Sequence, residues 1–196
     1  MIKIGINGFG RIGRLILRAL LENYKDKIEV VAINDLGSIE ANAHLVKYDS
    51  THGTLPYEVE TSKDGFKILN QNIKVFAERD PTNLPWGKIG VDVVLECTGL
   101  FLSKETAEKH IKAGAKKVII SAPASDVDFT IVQGVNSNQL KKEHNVISNG
   151  SCTTNCLAPV AMVLENNFGI EYGYMTTIHS YTGDQKLLDT LHKDLR

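Results

Sequence analysis

The sequence predicts an α/β fold: a doubly wound, mostly parallel sheet with helices on both faces, followed by the start of an α+β unit. Three observations carry this. A glycine cluster near the N-terminus joins a strand pattern to an amphipathic helix pattern. The run Ile28 to Ile33 (IEVVAI) is nearly continuously apolar, as in a parallel strand buried on both faces. Strand and helix patterns then alternate again between Val91 and Ser121.

Taken in order, Ile2 to Ile6 alternates apolar residues with Lys and Gly, as a strand does. Ile12, Leu15, Ile16, Ala19 and Leu20 follow at i, i+3, i+4, i+7 and i+8, the stripe that a helix presents to a sheet. With the run closed by Asn34 and Asp35 they make a βαβ unit. Thr61 to Ala77 is hairpin-like and reads as an antiparallel or irregular insertion. Val91 to Leu95 is a strand, Ser103 is an N-cap for a helix through Ala113 that Gly114 ends, and Lys117 to Ser121 is the next strand. The organisation changes near Gly150. A helical stripe of Leu157, Val160, Ala161, Leu164 and Phe168 leads to Gly169 and then to the strand-like Tyr172 to Ile178. A domain boundary therefore falls here, with residues 1–151 as one unit and 152–196 as the beginning of another. The start of the last helix stays open between Cys152 and Leu157, because Pro159 would kink a helix beginning at the cysteine.

Composition narrows the function classes. A chain of 196 residues holds one complete domain and part of a second. Lys plus Arg (22) balance Asp plus Glu (23) at a net charge of −1, and 42% of residues are hydrophobic, which excludes compositional disorder and a polybasic nucleic-acid binder. No run of about 18 apolar residues occurs, and Gly, Asn and Arg interrupt the apolar residues of the N-terminus, so neither a membrane span nor a signal peptide is expected. The expected compartment is the cytoplasm. Cys97, Cys152 and Cys156 are too few and odd in number for a disulfide framework, which suits a reducing compartment and thiols that are reactive or buried.

Gly8, Gly10 and Gly13 form G-x-G-x-x-G between the first strand and helix. There glycine permits a tight turn, lets backbone N–H groups approach a pyrophosphate and allows close helix–sheet packing, as in Rossmann-like dinucleotide-binding folds. The helix N-terminus adds positive potential for the phosphates. Asp35, 22 residues after Gly13, ends the second strand, where a carboxylate accepts hydrogen bonds from an adenosine ribose diol and repels a 2′-phosphate, favouring NAD over NADP. The plainer alternative is a simple turn with Asp35 as a strand terminator.

Cys152 lies in S-N-G-S-C-T-T-N-C, among small polar residues where the sheet pattern gives way to a helix. A thiol near a helix N-terminus has a larger thiolate fraction, so Cys152 reads either as a nucleophile or as a structural thiol. Cys156 is one turn on. C-x-x-x-C without a nearby histidine is poor metal spacing, so no metal site is expected, and Cys156 and Cys97 read as buried structural thiols. Spacing does not choose a base among His44, His52, His110, His144, His179 and His192. His179 is favoured because it ends a strand-like run at the polar segment S-Y-T-G-D-Q, whereas the others, His110 among them, read as surface or hydrogen-bonded structural residues.

I-N-G-F-G-R-I-G-R at the start, S-C-T-T-N-C-L-A-P around Cys152 and H-S-Y-T-G-D-Q from His179 resemble the phosphorylating glyceraldehyde-3-phosphate dehydrogenases. The resemblance runs in register from Ile2 to Arg196, through N-D-L at Asn34, K-Y-D-S-T-H-G at Lys47, E-C-T-G at Glu96 and S-A-P at Ser121. It implies that Cys152 is the nucleophile and His179 its activating acid–base partner. The thiolate would attack glyceraldehyde 3-phosphate to give a thiohemiacetal, hydride would pass to NAD, and inorganic phosphate would cleave the thioester to 1,3-bisphosphoglycerate, a step of glycolysis and gluconeogenesis. Phosphate contacts carry over to Ser151, Thr153 and Thr182. Cofactor contacts carry over to Asn7, Gly8, Gly10, Arg11, Ile12 and Asp35, with Arg79 beside the adenine and Thr98 and Ser121 at later strand ends. A homotetramer is implied as well, with no nucleic-acid or membrane partner.

The chain departs from the family's pattern at Gly150, usually alanine, and at Thr190 and Leu191, where the family commonly has residues that help exclude NADP. The family also continues well past Arg196. The resemblance thus implies an N-terminal portion with a truncated catalytic unit, which alone binds NAD weakly and does not catalyse. The alternatives are an erythrose-4-phosphate dehydrogenase, against which Tyr181 and Thr182 speak, an aspartate-semialdehyde dehydrogenase, against which the whole-chain likeness speaks, and a noncatalytic NAD-binding module.

Overall fold

A computed structural model describes residues 1–182. Thr190, Leu191 and His192 lie outside the described residues. Strand β1 (Ile2–Asn7), helix α1 (Arg11–Asn23) and β2 (Ile28–Asn34) form the expected βαβ unit. Helix α2 (Ile39–Lys47) leads to the small antiparallel pair β3 (Tyr48–Asp49) and β4 (Gly53–Thr54). Then come β5 (Val59–Ser62), β6 (Gly65–Ile68), β7 (Gln71–Phe76), β8 (Val93–Glu96), α3 (Lys104–Lys112), β9 (Lys117–Ile120), β10 (Phe129–Thr130), β11 (Val146–Ser148) and α4 (Cys152–Phe168).

Nine of these strands make one sheet in the order β10-β11-β9-β8-β1-β2-β7-β6-β5. Every pairing from β10 through β7 is parallel, and only β6 and β5 add on antiparallel. The stretch read as an insertion is therefore part of the main sheet: β7 lies parallel to β2, with Ile33 opposite Val75, and the hairpin before it forms the sheet edge. β2 supplies Val30 and Ile33 to a hydrophobic cluster under α1 and α2, and Ala32 to a second cluster that includes Ala107 of α3, so the sheet is buried on both faces.

Helix α1 buries a different face from the one its apolar stripe predicts. Gly13, Leu17, Arg18 and Leu21 face inward, Ala19 is exposed and Ile12 is 51% exposed. Close approach decides this. A Cβ on Gly13 would lie 2.3 Å from the Gly8 carbonyl oxygen, so the helix can settle onto the turn only with its glycine face inward. Arg18 joins that face because its guanidinium donates to the carbonyls of Val46 (3.0 Å), Lys47 (3.0 Å) and Gly53 (2.8 Å). Hydrophobicity counts neither residue.

Helix α3 begins as expected. Ser103 accepts from the Thr106 N–H and the Thr106 hydroxyl reaches back to the Ser103 N–H, a closed capping box, and Gly114 follows the last turn at φ 102°. Helix α4 begins at Cys152, capped by Ser151, and continues through Pro159, which decides the start left open above. No α4 residue is buried, and Phe168 is 83% exposed. Cys156 is accordingly exposed rather than buried, because no described element packs on its side of the helix. Tyr172 to Ile178 is not a strand: among the described residues no neighbouring strand takes up its backbone hydrogen bonds. Among the described residues no helix is long and apolar enough to cross a membrane.

Replacing Ser103 with Ala should remove the α3 cap and destabilise the protein by about 1 kcal/mol, read as a lower denaturant midpoint at unchanged slope.

Candidate active site

The strand order reverses at β1, which pairs with β2 on one side and β8 on the other. In open parallel sheets a crevice forms outside the carboxyl ends of the strands at such a point. Here it is a cleft of about 390 Å³, walled by Asn7, Gly8 and Gly10 after β1, by Asn34 to Leu36 after β2, by Glu78 and Arg79 after β7, and by Cys97, Thr98, Leu100 and Phe101 after β8.

The glycine turn fits a dinucleotide. Gly8 has φ 88°, and a Cβ there would lie 2.7 Å from the Thr98 backbone nitrogen. A Cβ on Gly10 would meet nothing within 4 Å, so that residue faces open cleft. Ser38, Ser103 and Ser151 each cap their helix with a side-chain oxygen, whereas α1 has Gly10 at its N-cap and no side-chain cap. Its first-turn N–H groups are left for an anion. The Asp35 carboxylate accepts from the Phe9 N–H (2.9 Å) through one oxygen and from the Gly37 N–H (2.9 Å) through the other. Each oxygen keeps a lone pair for a ribose hydroxyl.

Of the cofactor residues expected from sequence, the cleft wall includes Asn7, Gly8, Gly10, Asp35, Arg79 and Thr98. Arg11, Ile12 and Ser121 are not in it. The Arg11 side chain pairs with Asp49 at 3.0 Å, and Ile12 points outward from the same first turn. The Ser121 N–H donates to the Glu96 carbonyl (3.0 Å), and its hydroxyl bonds the Cys97 thiol.

The thiol lies at the same carboxyl edge, because α4 starts directly after β11. The Asn155 amide ties this corner together, donating to the Asn149 carbonyl (2.7 Å) and the Ser151 carbonyl (2.9 Å). Cys152 is the first residue of α4, and its Sγ lies 3.0 Å from His179 Nε2. His179 Nδ1 faces the Ser180 carbonyl oxygen, which can only accept, so the hydrogen sits on Nδ1 and Nε2 is left to take the thiol proton. The bond to His179 holds the Cys152 thiol below the usual cysteine range, aided by the Thr153 N–H and hydroxyl and opposed by partial desolvation. Burial instead pushes the Cys97 thiol up to about 12.

A hollow of about 480 Å³ beside the thiol is lined by Cys152, Thr153, Cys156, Thr176, Thr177 and His179, among others. Ser151 caps the helix at its mouth, and its hydroxyl bonds the Thr154 hydroxyl (2.8 Å). Thr182 is exposed and does not line the hollow. Sequence reasoning missed Thr176 and Thr177, whose only signal is position just before His179. It also missed Asn34 in the cleft wall and Glu96 and Trp86 behind it, whose partners are remote in sequence.

Residues 2–104, just over half of the chain, match the family model described as the glyceraldehyde 3-phosphate dehydrogenase NAD binding domain, and residues 151–196 match that family's C-terminal domain. The chain belongs to the glyceraldehyde-3-phosphate dehydrogenase family. Over 194 residues, 99% of the chain, it is 58% identical to the glyceraldehyde-3-phosphate dehydrogenase of Xanthobacter flavus. It is 59% identical over its whole length to glyceraldehyde-3-phosphate dehydrogenase 2 of Streptomyces avermitilis, and 56% identical over 99% of its length to the Pseudomonas aeruginosa enzyme. It spans 58% of the length of each of these relatives. NAD is the cofactor of the family's N-terminal domain, and the uncapped glycine turn and Asp35 are the features of this chain that suit it.

Two outcomes follow from this geometry. Asp35→Gly removes both the carboxylate and its bond to the Phe9 N–H, and should weaken NAD binding on the order of tenfold while relaxing discrimination against NADP, measured by calorimetric titration of both. Iodoacetamide should label Cys152 with a pH midpoint below that of a simple thiol and spare Cys97 in the folded protein. His179→Ala should move the Cys152 midpoint upward, and peptide mass mapping across pH reads all three.

Proposed function

We propose that this chain carries the cofactor site and the nucleophile of an NAD-dependent phosphorylating glyceraldehyde-3-phosphate dehydrogenase. The observation that carries the reading is the 3.0 Å contact between Cys152 Sγ and His179 Nε2 at the N-terminus of α4, on the same sheet edge as the dinucleotide cleft. Residues 1–151 form the NAD-binding unit and 152–196 begin the catalytic one. This division is supported by β11 being, among the described residues, the last strand in chain order to join the sheet, and by the C-terminal family match starting at residue 151.

In this scheme His179 Nε2 takes the thiol proton, and the Cys152 thiolate attacks the aldehyde carbon of glyceraldehyde 3-phosphate. The proton returns to the carbonyl oxygen, giving a thiohemiacetal whose hydroxyl faces His179. Bound NAD supplies the acceptor for the hydride that leaves this carbon. His179 removes the hydroxyl proton as the hydride departs, which leaves a thioester on Cys152. Inorganic phosphate then attacks the thioester carbonyl, the C–S bond breaks, and Cys152 leaves as thiolate with 1,3-bisphosphoglycerate as product. Ser151, Thr153 and Thr182 offer hydroxyl donors to phosphate oxygens. Two easier steps replace one hard one, and the thioester conserves the energy of the oxidation. By resemblance to the family, the working protein is a cytoplasmic homotetramer.

The test is NADH formation by the protein isolated from its host, with glyceraldehyde 3-phosphate and phosphate together and with each withheld. Cys152→Ser should lower kcat by about 10³-fold or more, with NAD affinity retained. A Cys152→Ser variant that keeps its turnover, or a large preference for erythrose 4-phosphate, overturns the assignment.

A further inference from the structure

Behind the cleft runs a line of buried polar side chains that the reaction scheme does not use. Glu96, at the end of β8, is 1% exposed, and His110 of α3 and Trp86 are 0% exposed. The Trp86 indole N–H donates to His110 Nδ1 at 3.0 Å. That nitrogen is therefore an acceptor, so the ring hydrogen lies on Nε2 and is donated to Glu96 Oε2 at 2.9 Å. The same Oε2 accepts from the Asn7 amide at 2.6 Å, while Oε1 accepts from the Thr98 N–H at 2.8 Å and from the Thr98 hydroxyl. Four donors thus converge on one carboxylate, and Asn7 and Thr98, which supply three of them, stand in the cleft wall. Asn7 passes the constraint on, because its Oδ1 accepts from Asn34 Nδ2 at 2.7 Å, and Asn34 clasps the backbone of Glu78 through two bonds of 2.8 Å.

We propose that Trp86, His110 and Glu96 are positioning residues for the dinucleotide: the indole, imidazole and carboxylate lie in one hydrogen-bonded line whose free end holds Asn7 and Thr98 against the glycine turn. The proposal rests on the NAD-site reading above. Each donor has one direction to give and each acceptor is filled, so the line specifies a single arrangement of the strand ends that wall the cleft. Thr98 is the sensitive member. Its backbone nitrogen would lie only 2.7 Å from a Gly8 Cβ, so Thr98 packs directly on the turn that receives the pyrophosphate and a shift of one moves the other. An apolar core would fill the same space but would leave Asn7 and the Thr98 N–H without their partner.

Two amide replacements separate positioning from packing. Gln at 110 places its amide nitrogen where Nε2 stands and keeps a donor toward Glu96. Asn reaches only as far as Nδ1, so it keeps the acceptor for Trp86 and leaves Glu96 short of a donor. NAD affinity is measured by calorimetric titration of the protein isolated from its host and of both variants. Thermal unfolding without NAD is recorded alongside, and emission from Trp86, the one tryptophan in the sequence, checks that the core stays packed. We expect His110→Asn to raise the NAD Kd on the order of tenfold, and His110→Gln to bind like the parent even where both variants melt at the same lowered temperature. Equal affinities for the two variants overturn the relay, and so does a loss of affinity that tracks melting temperature alone. Glu96→Gln, which replaces an acceptor with a donor at the hub, must weaken NAD binding with Trp86 emission unchanged; normal binding in that variant also overturns the relay. A parent protein that fails to bind NAD overturns the NAD-site reading and the relay together.

Discussion

The approach of the glycine turn to its surroundings is the constraint from which most of the architecture follows. A Cβ on Gly13 would collide with the Gly8 carbonyl, and one on Gly8 would collide with the backbone of Thr98. Removing two side chains lets α1 press its N-terminus onto the sheet where β1 and β8 part. The helix has no rotational freedom left after that. Leu17 and Leu21 go inward because they share Gly13's face, and the uncapped first turn opens toward the cleft. Anion site and hydrophobic packing are two results of one steric fact.

The thiol centre is arranged by a different rule. Helix α4 has a capped N-terminus, since Ser151 accepts from the Thr154 N–H at 2.9 Å. The activation of Cys152 therefore rests on its direct hydrogen bonds with His179, whose Nε2 accepts from the thiol, and with Thr153, rather than on an open helix end. The contrast with Cys97 isolates the cause. Both cysteines lie at the carboxyl edge of the sheet, yet one thiol is lowered by a facing imidazole and the other is raised by burial. Residue type sets neither value; the neighbours do.

What could be read from sequence divides along the same physical lines. Contiguous patterns were legible: the buried run of β2, the Ser103 cap with Gly114 beyond it, and the glycine spacing before α1 all follow from neighbouring residues. Contacts made by residues that carry no hydrophobic signal were not. Gly13 and Arg18 decide which face of α1 is buried, one by lacking a side chain and the other by binding three carbonyls, so an apolar stripe led by Ile12 pointed the wrong way. Cys156 reads as a buried thiol only if something packs on it, and it is exposed; the Tyr172 to Ile178 run has a strand's residue pattern but no sheet partner among the described residues, so it forms no strand. His179 was legible as a place rather than a contact, since only folding brings it to Cys152. Trp86, His110 and Glu96 show no common spacing, and their alignment exists only after β8 and α3 pack.

The two centres make opposite demands on the same sheet edge. A pyrophosphate site needs bare backbone N–H groups held still, and a nucleophile needs an exposed side chain beside a base. The fold meets both by assigning them to different strand ends. Around the cleft the polar groups are buried and multiply bonded, as Asn7, Asn34 and Glu96 are, so that geometry is over-determined. Around Cys152 the groups are exposed or half-buried, with His179 carried on a segment without regular secondary structure. On the proposed reading the two halves can be tuned separately: a change at His110 would alter how the cofactor is held, and a change at His179 would alter how readily the sulfur ionises. The proposed reaction needs the two halves to meet at one carboxyl edge, and the parallel pairing of β11 with β9, followed directly by α4, places the thiol there.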